Sequence, residues 1–256
     1  MRREHPSAQV RALRTGRGAV TRYHRILLKL SGEALMASKS FGVHADTVEN
    51  IAEEIAGLHE MGVELGIVTG GGNFFRGISE VGQRFDRSAA DTVGMLATVM
   101  NCLVLQNGLE RLGLDTRVLS ALEMPKVAEP FIRRRAVRHL ERGRIVLFAA
   151  GTGHPYFSTD TGAALRALEI NAEAIIKATK VDGIYSSDPE KDPKAIKYDR
   201  VSYREVMEKN LQVMDQTAVA LCRENGLPLH VLSIREPGRI AALLRGEAIG
   251  TIVSET

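Results

Sequence analysis

The chain has 256 residues, 44% hydrophobic and 25% charged, proportions that exclude disordered, collagen-like and low-complexity classes and suit one large domain or two small ones. Its formal net charge of +3 is concentrated at the start, where Arg2, Arg3, Arg11, Arg14, Arg17 and Arg22 stand against the single acid Glu4; the rest is close to neutral, so nucleic-acid binding by the whole protein is not indicated. No apolar stretch approaches the roughly 20 residues that span a bilayer, and Cys102 and Cys222 lie among apolar residues at helical spacing, the pattern of buried free thiols in a reducing, cytoplasmic compartment with no membrane partner.

Residues 1 to 22 lack apolar periodicity and read as a flexible basic tail rather than a transit peptide, ahead of a folded unit over residues 23–256. From there, short apolar runs alternate with amphipathic stretches. The runs Ile26–Leu30, Val63–Thr69, Thr116–Leu119, Ile145–Ala149, Ala174–Ala178, His230–Ser233 and Thr251–Val253 are rich in Ile, Val and Leu. They read as strands buried on both faces of a parallel sheet. Between Asp46 and Met61, the residues Val48, Ile51, Ile55 and Leu58 form one apolar stripe. Asp46 with Glu49 looks like a capping box, and Gly62 ends the helix. Further helices are expected over Asp91–Leu112, Arg135–Glu141, Thr161–Leu168, Asp215–Asn225 and Pro237–Leu244. Strand–helix alternation of this kind implies right-handed crossovers and an α/β fold, a three-layer α/β/α sandwich around a mostly parallel central sheet.

In such sheets ligands bind beyond the carboxyl ends of the strands, and four strand-end loops are unusual. Lys29 closes an apolar strand just before Ser31 and Gly32. A phosphate chain would pair its charge, with the small residues admitting it closely; a lysine snorkelling from a strand end is the alternative. Gly70-Gly71-Gly72-Asn73 is followed by Arg76 and Gly77. It offers free N–H donors and a bidentate cation for an anion, or else a tight turn against a helix. It is neither a Walker A loop nor a dinucleotide fingerprint. The run Gly151 to Thr161 sets hydroxyls, glycines and two aromatics at a helix start. Asp160 there orients a lysine, sits near a metal-bound phosphate, or merely caps the helix. Lys177 to Pro189 brings strand-end lysines, then Tyr185 and Asp188, which suit a stacked base or a solvated turn. There is no Cys/His zinc spacing and no Gly-x-Ser-x-Gly elbow. The carboxylates suit magnesium or lysine positioning better than a dedicated metal cage.

Taken in order, these segments resemble the amino acid kinase superfamily and, within it, the bacterial UMP kinase (uridylate kinase) family. The matching stretches are Arg25 to Leu35, Gly70 to Gly77, Gly94 to Asn101, Gly151 to Asp160, Lys177 to Gly183, Val213 to Asp215 and Gly246 to Val253. The resemblance implies reversible transfer of the ATP γ-phosphoryl group to UMP, giving ADP and UDP for pyrimidine nucleotide synthesis, with Mg²⁺ arriving on ATP. Carried over by position, Lys29, Leu30, Ser31, Gly32, Gly72 and Arg76 would hold ATP phosphates. Thr179, Tyr185 and Asp188 would hold its adenosine. Gly71, Asp91, Thr152, Gly153, His154, Pro155, Tyr156, Phe157, Ser158 and Thr159 would hold UMP. Lys29, Arg76, Asp160 and Asp215 would make the catalytic centre. A homohexamer activated by GTP and inhibited by UTP is also implied. Ala37-Ser38-Lys39-Ser40-Phe41-Gly42 departs from the glycine-rich stretch tied to GTP activation in the family, and His154 stands where Asn is common. The competing readings are a carboxylate or carbamate kinase of the same superfamily and a non-catalytic regulator using the basic tail and Arg133, Arg134, Arg135 and Arg138.

Overall fold

Seven apolar runs meet in one sheet, the central ones shielded on both faces as their composition demands and the last, at Thr251–Ser254, on one face only. The computed structural model describes residues 21–36, 41–75, 84–189 and 191–255. The basic tail through residue 20, the stretch 37–40 and Arg76 lie outside them.

In chain order the elements are β1 (Arg25–Leu30), α1 (Ala45–Glu60), β2 (Glu64–Thr69), α2 (Arg87–Arg111), β3 (Thr116–Ser120) and β4 (Glu129–Pro130). Then come α3 (Arg133–Glu141), β5 (Ile145–Ala149), α4 (Thr159–Glu169), β6 (Ala174–Thr179), β7 (Ile184–Tyr185) and β8 (Lys197–Tyr198). The last are β9 (Arg200–Ser202), α5 (Tyr203–Glu208), α6 (Gln216–Glu224), β10 (Leu229–Ser233), α7 (Arg239–Leu244) and β11 (Thr251–Ser254). The main sheet has the order β4-β3-β5-β2-β1-β6-β10-β11-β9, and β7 with β8 forms a separate hairpin. All neighbours in the main sheet pair in parallel except β10 with β11. The expectation of a mostly parallel sheet within an α/β fold is borne out.

Side chains alternate across a strand, so β1 divides its residues between two cores. Ile26, Leu28 and Leu30 join α1, α2 and α7 on one side. Leu27 joins α3, α4, α5 and α6 on the other. Lys29 has the parity of Leu27 and therefore belongs to the α4 side.

Helix ends needed correction more than helix positions did. The N-cap of α1 is His44, and Asp46 lies in the first turn, where it complements the macrodipole without making the expected capping box. Gly62, with φ of 81°, ends that helix as expected. Helix α2 begins a turn early because Asp86 caps it, accepting from the Ala89 N–H at 3.2 Å. Its mean hydropathy over an 18-residue window is 1.5, enough by length and composition to cross a membrane. That exceeds the expectation from uninterrupted apolar runs. It packs against α1, β3 and β5 on one side, while Val93, Leu96 and Met100 on another face are exposed.

Candidate active site

The register of the sheet sets Lys29 of β1 beside Lys177 of β6, on the same face. Two ammonium groups so placed repel each other unless an anion lies between them. Asp160, in the first turn of α4, supplies it: Oδ1 is 2.9 Å from Lys29 Nζ, and Oδ2 accepts from Lys177 Nζ at 3.0 Å. Lys177 Nζ also donates to the Val213 carbonyl. Burial pushes the Asp160 carboxyl up, but the two ammonium groups outweigh it and hold the group below the usual carboxylate range. Burial also pulls the Lys177 ammonium down, Asp160 opposing that effect and Lys29 adding to it. Taken alone, the two cations and one anion leave one positive charge for a transferring phosphoryl group, although the Asp215 charge also acts on Lys177.

Asp160 does not cap its helix. Ser158 does, accepting from the Thr161 N–H at 3.0 Å. Asp215 caps α6 through the Ala218 N–H at 3.1 Å. It also accepts from the Thr161 hydroxyl at 2.9 Å and from the Ser158 hydroxyl. Asp215 thus ties the start of α6 to the start of α4 and fixes the turn that presents Asp160.

The loops after β1 and β2 touch. A Cβ on Gly32 would come within 2.6 Å of the Gly70 carbonyl oxygen, and one on Gly71 within 2.7 Å of the Gly94 carbonyl oxygen. Close packing therefore accounts for both glycines, and it aligns the two loops. A reciprocal amide pair locks that arrangement. Asn73 Nδ2 donates to Asn101 Oδ1 at 2.9 Å, and Asn101 Nδ2 donates to Asn73 Oδ1 and to the Gly70 carbonyl, both at 2.7 Å.

A cavity of about 200 Å³ lies between α2 and the loop from Gly151 to Thr159. Gly71, Gly72, Asp91, Thr152, His154, Phe157, Ser158 and Thr159 all line it. Asp91 accepts from the Tyr156 N–H at 2.7 Å and lies 3.6 Å from Arg87 Nε. Thr152 and His154 close a small turn through the Thr152 hydroxyl, at 3.2 Å in each direction. Gly153 packs on Ala121, while Pro155 and Tyr156 form the tip, with the Tyr156 ring exposed beneath the Arg87 guanidinium. A larger cavity of about 520 Å³ shares Thr152, His154 and Phe157 and is otherwise lined by residues of α4 and α6 with Ala121 and Phe131. Neither cavity is lined by the lysine cluster; the smaller one is lined by both Gly71 and Gly72 of the glycine run and by Thr159, the residue before Asp160.

On the other flank, Thr179 ends β6 and accepts from the Ile234 N–H at 2.9 Å. The Tyr185 hydroxyl donates to Asp182 Oδ1 at 2.6 Å, and Lys197 braces Asp182 Oδ2 at 2.9 Å. Lys180 reaches Glu33 Oε2 at 2.8 Å, which joins this region to the turn after Ser31. Asp188 lies further out, 3.4 Å from Lys191 Nζ. Among the described residues, no three His, Cys, Asp or Glu side chains gather as a metal cage.

Residues 24–233 match the amino acid kinase family. The chain belongs to that family. Among solved structures, a UMP kinase from Bacillus anthracis superposes with a TM-score of 0.88 at 40% identity, over 91% of this chain and 96% of that one. A UMP kinase from Ureaplasma parvum gives 0.85 at 38% identity, over 90% and 98%. A uridylate kinase from Archaeoglobus fulgidus gives 0.70 at 27% identity, over 90% and 99%.

In this amino acid kinase, sequence reasoning gave no role to Lys177 or to the Asn73–Asn101 pair. Lys177 had a usable signal: Leu-Leu-Lys-Leu-Ser in β1 and Ile-Ile-Lys-Ala-Thr in β6 place a lysine at the same point of an apolar run. The asparagine pair had none, because only the fold brings Asn101 of α2 onto the loop after β2.

Proposed function

We propose that this chain is a UMP kinase, moving the γ-phosphoryl group of ATP reversibly onto UMP to give ADP and UDP. The observation that carries this reading is the Lys29–Asp160–Lys177 cluster at the strand ends, near the glycine run whose Gly71 and Gly72 line a cavity of about 200 Å³ together with Asp91 and the Gly151–Thr159 loop. The likeness to UMP kinases at 38–40% identity supports the choice of acceptor.

Phosphoryl transfer needs positioning and charge neutralisation more than covalent chemistry. In this reading Leu30 to Gly32, Gly72 and Arg76 hold the ATP phosphates. Thr179, Tyr185 and Asp188 hold its adenosine. Asp91 bonds the UMP ribose, and the run Thr152 to Thr159 holds the rest of UMP with Gly71. Lys29 contacts the transferred group, and Asp160 keeps Lys29 and Lys177 aimed at it. The acceptor phosphate is already anionic, so no strong base is required. Asp160 is held by lysines and Asp215 by hydroxyls, which fits Mg²⁺ arriving on the triphosphate rather than in a protein cage; bound there, it would neutralise phosphate charge.

The reading extends to pyrimidine nucleotide synthesis in the cytoplasm, by residues 23–256 acting as one kinase domain. It includes activation by GTP, inhibition by UTP and a homohexamer. The exposed apolar residues Val93, Leu96 and Met100 on one face of α2 support self-association. The test is a panel of acceptors (UMP, CMP, dUMP, aspartate, glutamate and carbamate) with MgATP, with and without GTP. ADP formed with UMP alone is the expected result; ADP formed with a carboxylate or carbamate and not with UMP would overturn the assignment.

A further inference from the structure

The acceptor loop is held in a shape its residues would not choose. Ala150, Gly151, Gly153 and Tyr156 have φ of 62°, 54°, 81° and 72°. Left-handed backbone suits glycine, but it is costly for Ala150 and Tyr156. Such a conformation persists only where its surroundings impose it. Asp91 holds Tyr156. The corner at Ala150–Gly151 is held by two other side chains, one from each helical layer.

From the α2 layer, Thr98 Oγ1 accepts from the Ala150 N–H at 2.8 Å. Its own proton goes to the Met95 carbonyl at 2.7 Å, so the hydroxyl is directed, with a lone pair aimed at Ala150. From the α4 layer, Arg166 Nη2 donates to the Gly151 carbonyl at 3.0 Å. Nη1 of Arg166 is paired with Glu169, and its guanidinium lies 3.7 Å from the centre of the Phe131 ring. Both residues are 4% exposed. Gly162 lets α4 come this close, since a Cβ there would be 3.2 Å from Gly151 Cα. A buried arginine with its other bonds made inside the protein is a rigid donor.

We propose that Thr98 and Arg166 are positioning residues that preset the left-handed corner at Ala150–Gly151 and so fix where Thr152 to Thr159 meet the acceptor. The role in acceptor binding rests on the UMP kinase reading; the conformational role does not. Without either contact the corner relaxes, and acceptor binding must restore it. The ATP side should change less, because the Thr98 hydroxyl bonds Ala150 and Met95 and the Arg166 guanidinium bonds Gly151 and Glu169, none of them in the loops after β1 and β2.

Thr98→Val keeps the shape and deletes the acceptor atom, whereas Thr98→Ser keeps the oxygen. If the competent corner falls to about a tenth of molecules, Thr98→Val raises KM for UMP about tenfold, with KM for ATP within about twofold of wild type. Thr98→Ser restores wild-type KM, and Arg166→Met repeats the split. Equal changes in both KM values, or an unchanged KM for UMP, would overturn the proposal. Amide hydrogen exchange over residues 150–157, without nucleotide, reads the corner directly: faster in Thr98→Val and Arg166→Met than in wild type and Thr98→Ser. Unchanged exchange in both variants refutes the clamp, whichever acceptor the enzyme uses. If wild type turns over no UMP while exchange responds as stated, the reading of function fails and the clamp stands.

Discussion

Asp160→Asn leaves Lys29 and Lys177 side by side on register-paired strands with no anion between them. The wild-type carboxylate lies 2.9 Å and 3.0 Å from the two ammonium nitrogens, and the three side chains are only 11–17% exposed. Removing one partner from a buried ionic group costs about 3–5 kcal/mol, because the remaining charge is uncompensated. Residual water and loss of a proton from one lysine place the cost near the lower end, about 3 kcal/mol. For a chain of this size that lowers Tm by about 6–12 °C, at about 2–4 °C per kcal/mol. Differential scanning calorimetry at pH 7.5 checks it. Burial already pulls Lys177 down, so its proton is the easier one to lose in the variant. The deficit therefore shrinks as pH rises toward 9.5, and added tripolyphosphate reduces it at pH 7.5. A Tm loss below about 2 °C, or one indifferent to pH and to phosphate, would refute the claim that Asp160 neutralises two buried cations.

Lys29→Met should lose roughly 10²- to 10³-fold in turnover, with nucleotide binding less affected; steady-state kinetics and calorimetric titration separate the two. His230 is buried beside the Tyr23 hydroxyl, and burial, then the Arg22 charge, push its pKa down to about 4. Its folded value lies below the unfolded one, so the stability it secures is present above about pH 6.5 and is lost as pH falls toward about 4. That amounts to about 3 kcal/mol at full extent, read from urea midpoints across the window, and His230→Gln should flatten the dependence. Burial pushes Cys102 up to about 12 and Cys222 up to about 11. Because the thiolate is the reactive form, neither should alkylate at pH 8 in the folded protein, and both should do so in urea.

The sheet was legible because its central strands are buried on both faces and so carry uninterrupted Ile, Val and Leu. Strands β4, β7, β8 and β9 are two or three residues long, too short for any periodicity. Helix α5 has a six-residue body, yet its capping box of Ser202 and Glu205 was present in the sequence as Ser-x-x-Glu. The strand-end lysine and the glycine runs pointed to the candidate site through their place after apolar strands. What composition could not supply was register: nothing local says that Lys29 faces Lys177. The roles of Ser158 and Asp160 were undecidable locally, since both side chains can cap a helix. Two lysines from other strands draw Asp160 away and leave the cap to Ser158.

In the proposed mechanism two nucleotides meet phosphate to phosphate over Lys29. A structure with UMP and a non-hydrolysable ATP analogue tests it most directly. The γ-phosphoryl oxygens should lie within about 3 Å of Lys29 Nζ, with UMP in the cavity beside Asp91 and its phosphate against Gly71 and the Thr152–Thr159 loop. Lys29 and the triple glycine turned away from both phosphate chains would contradict it.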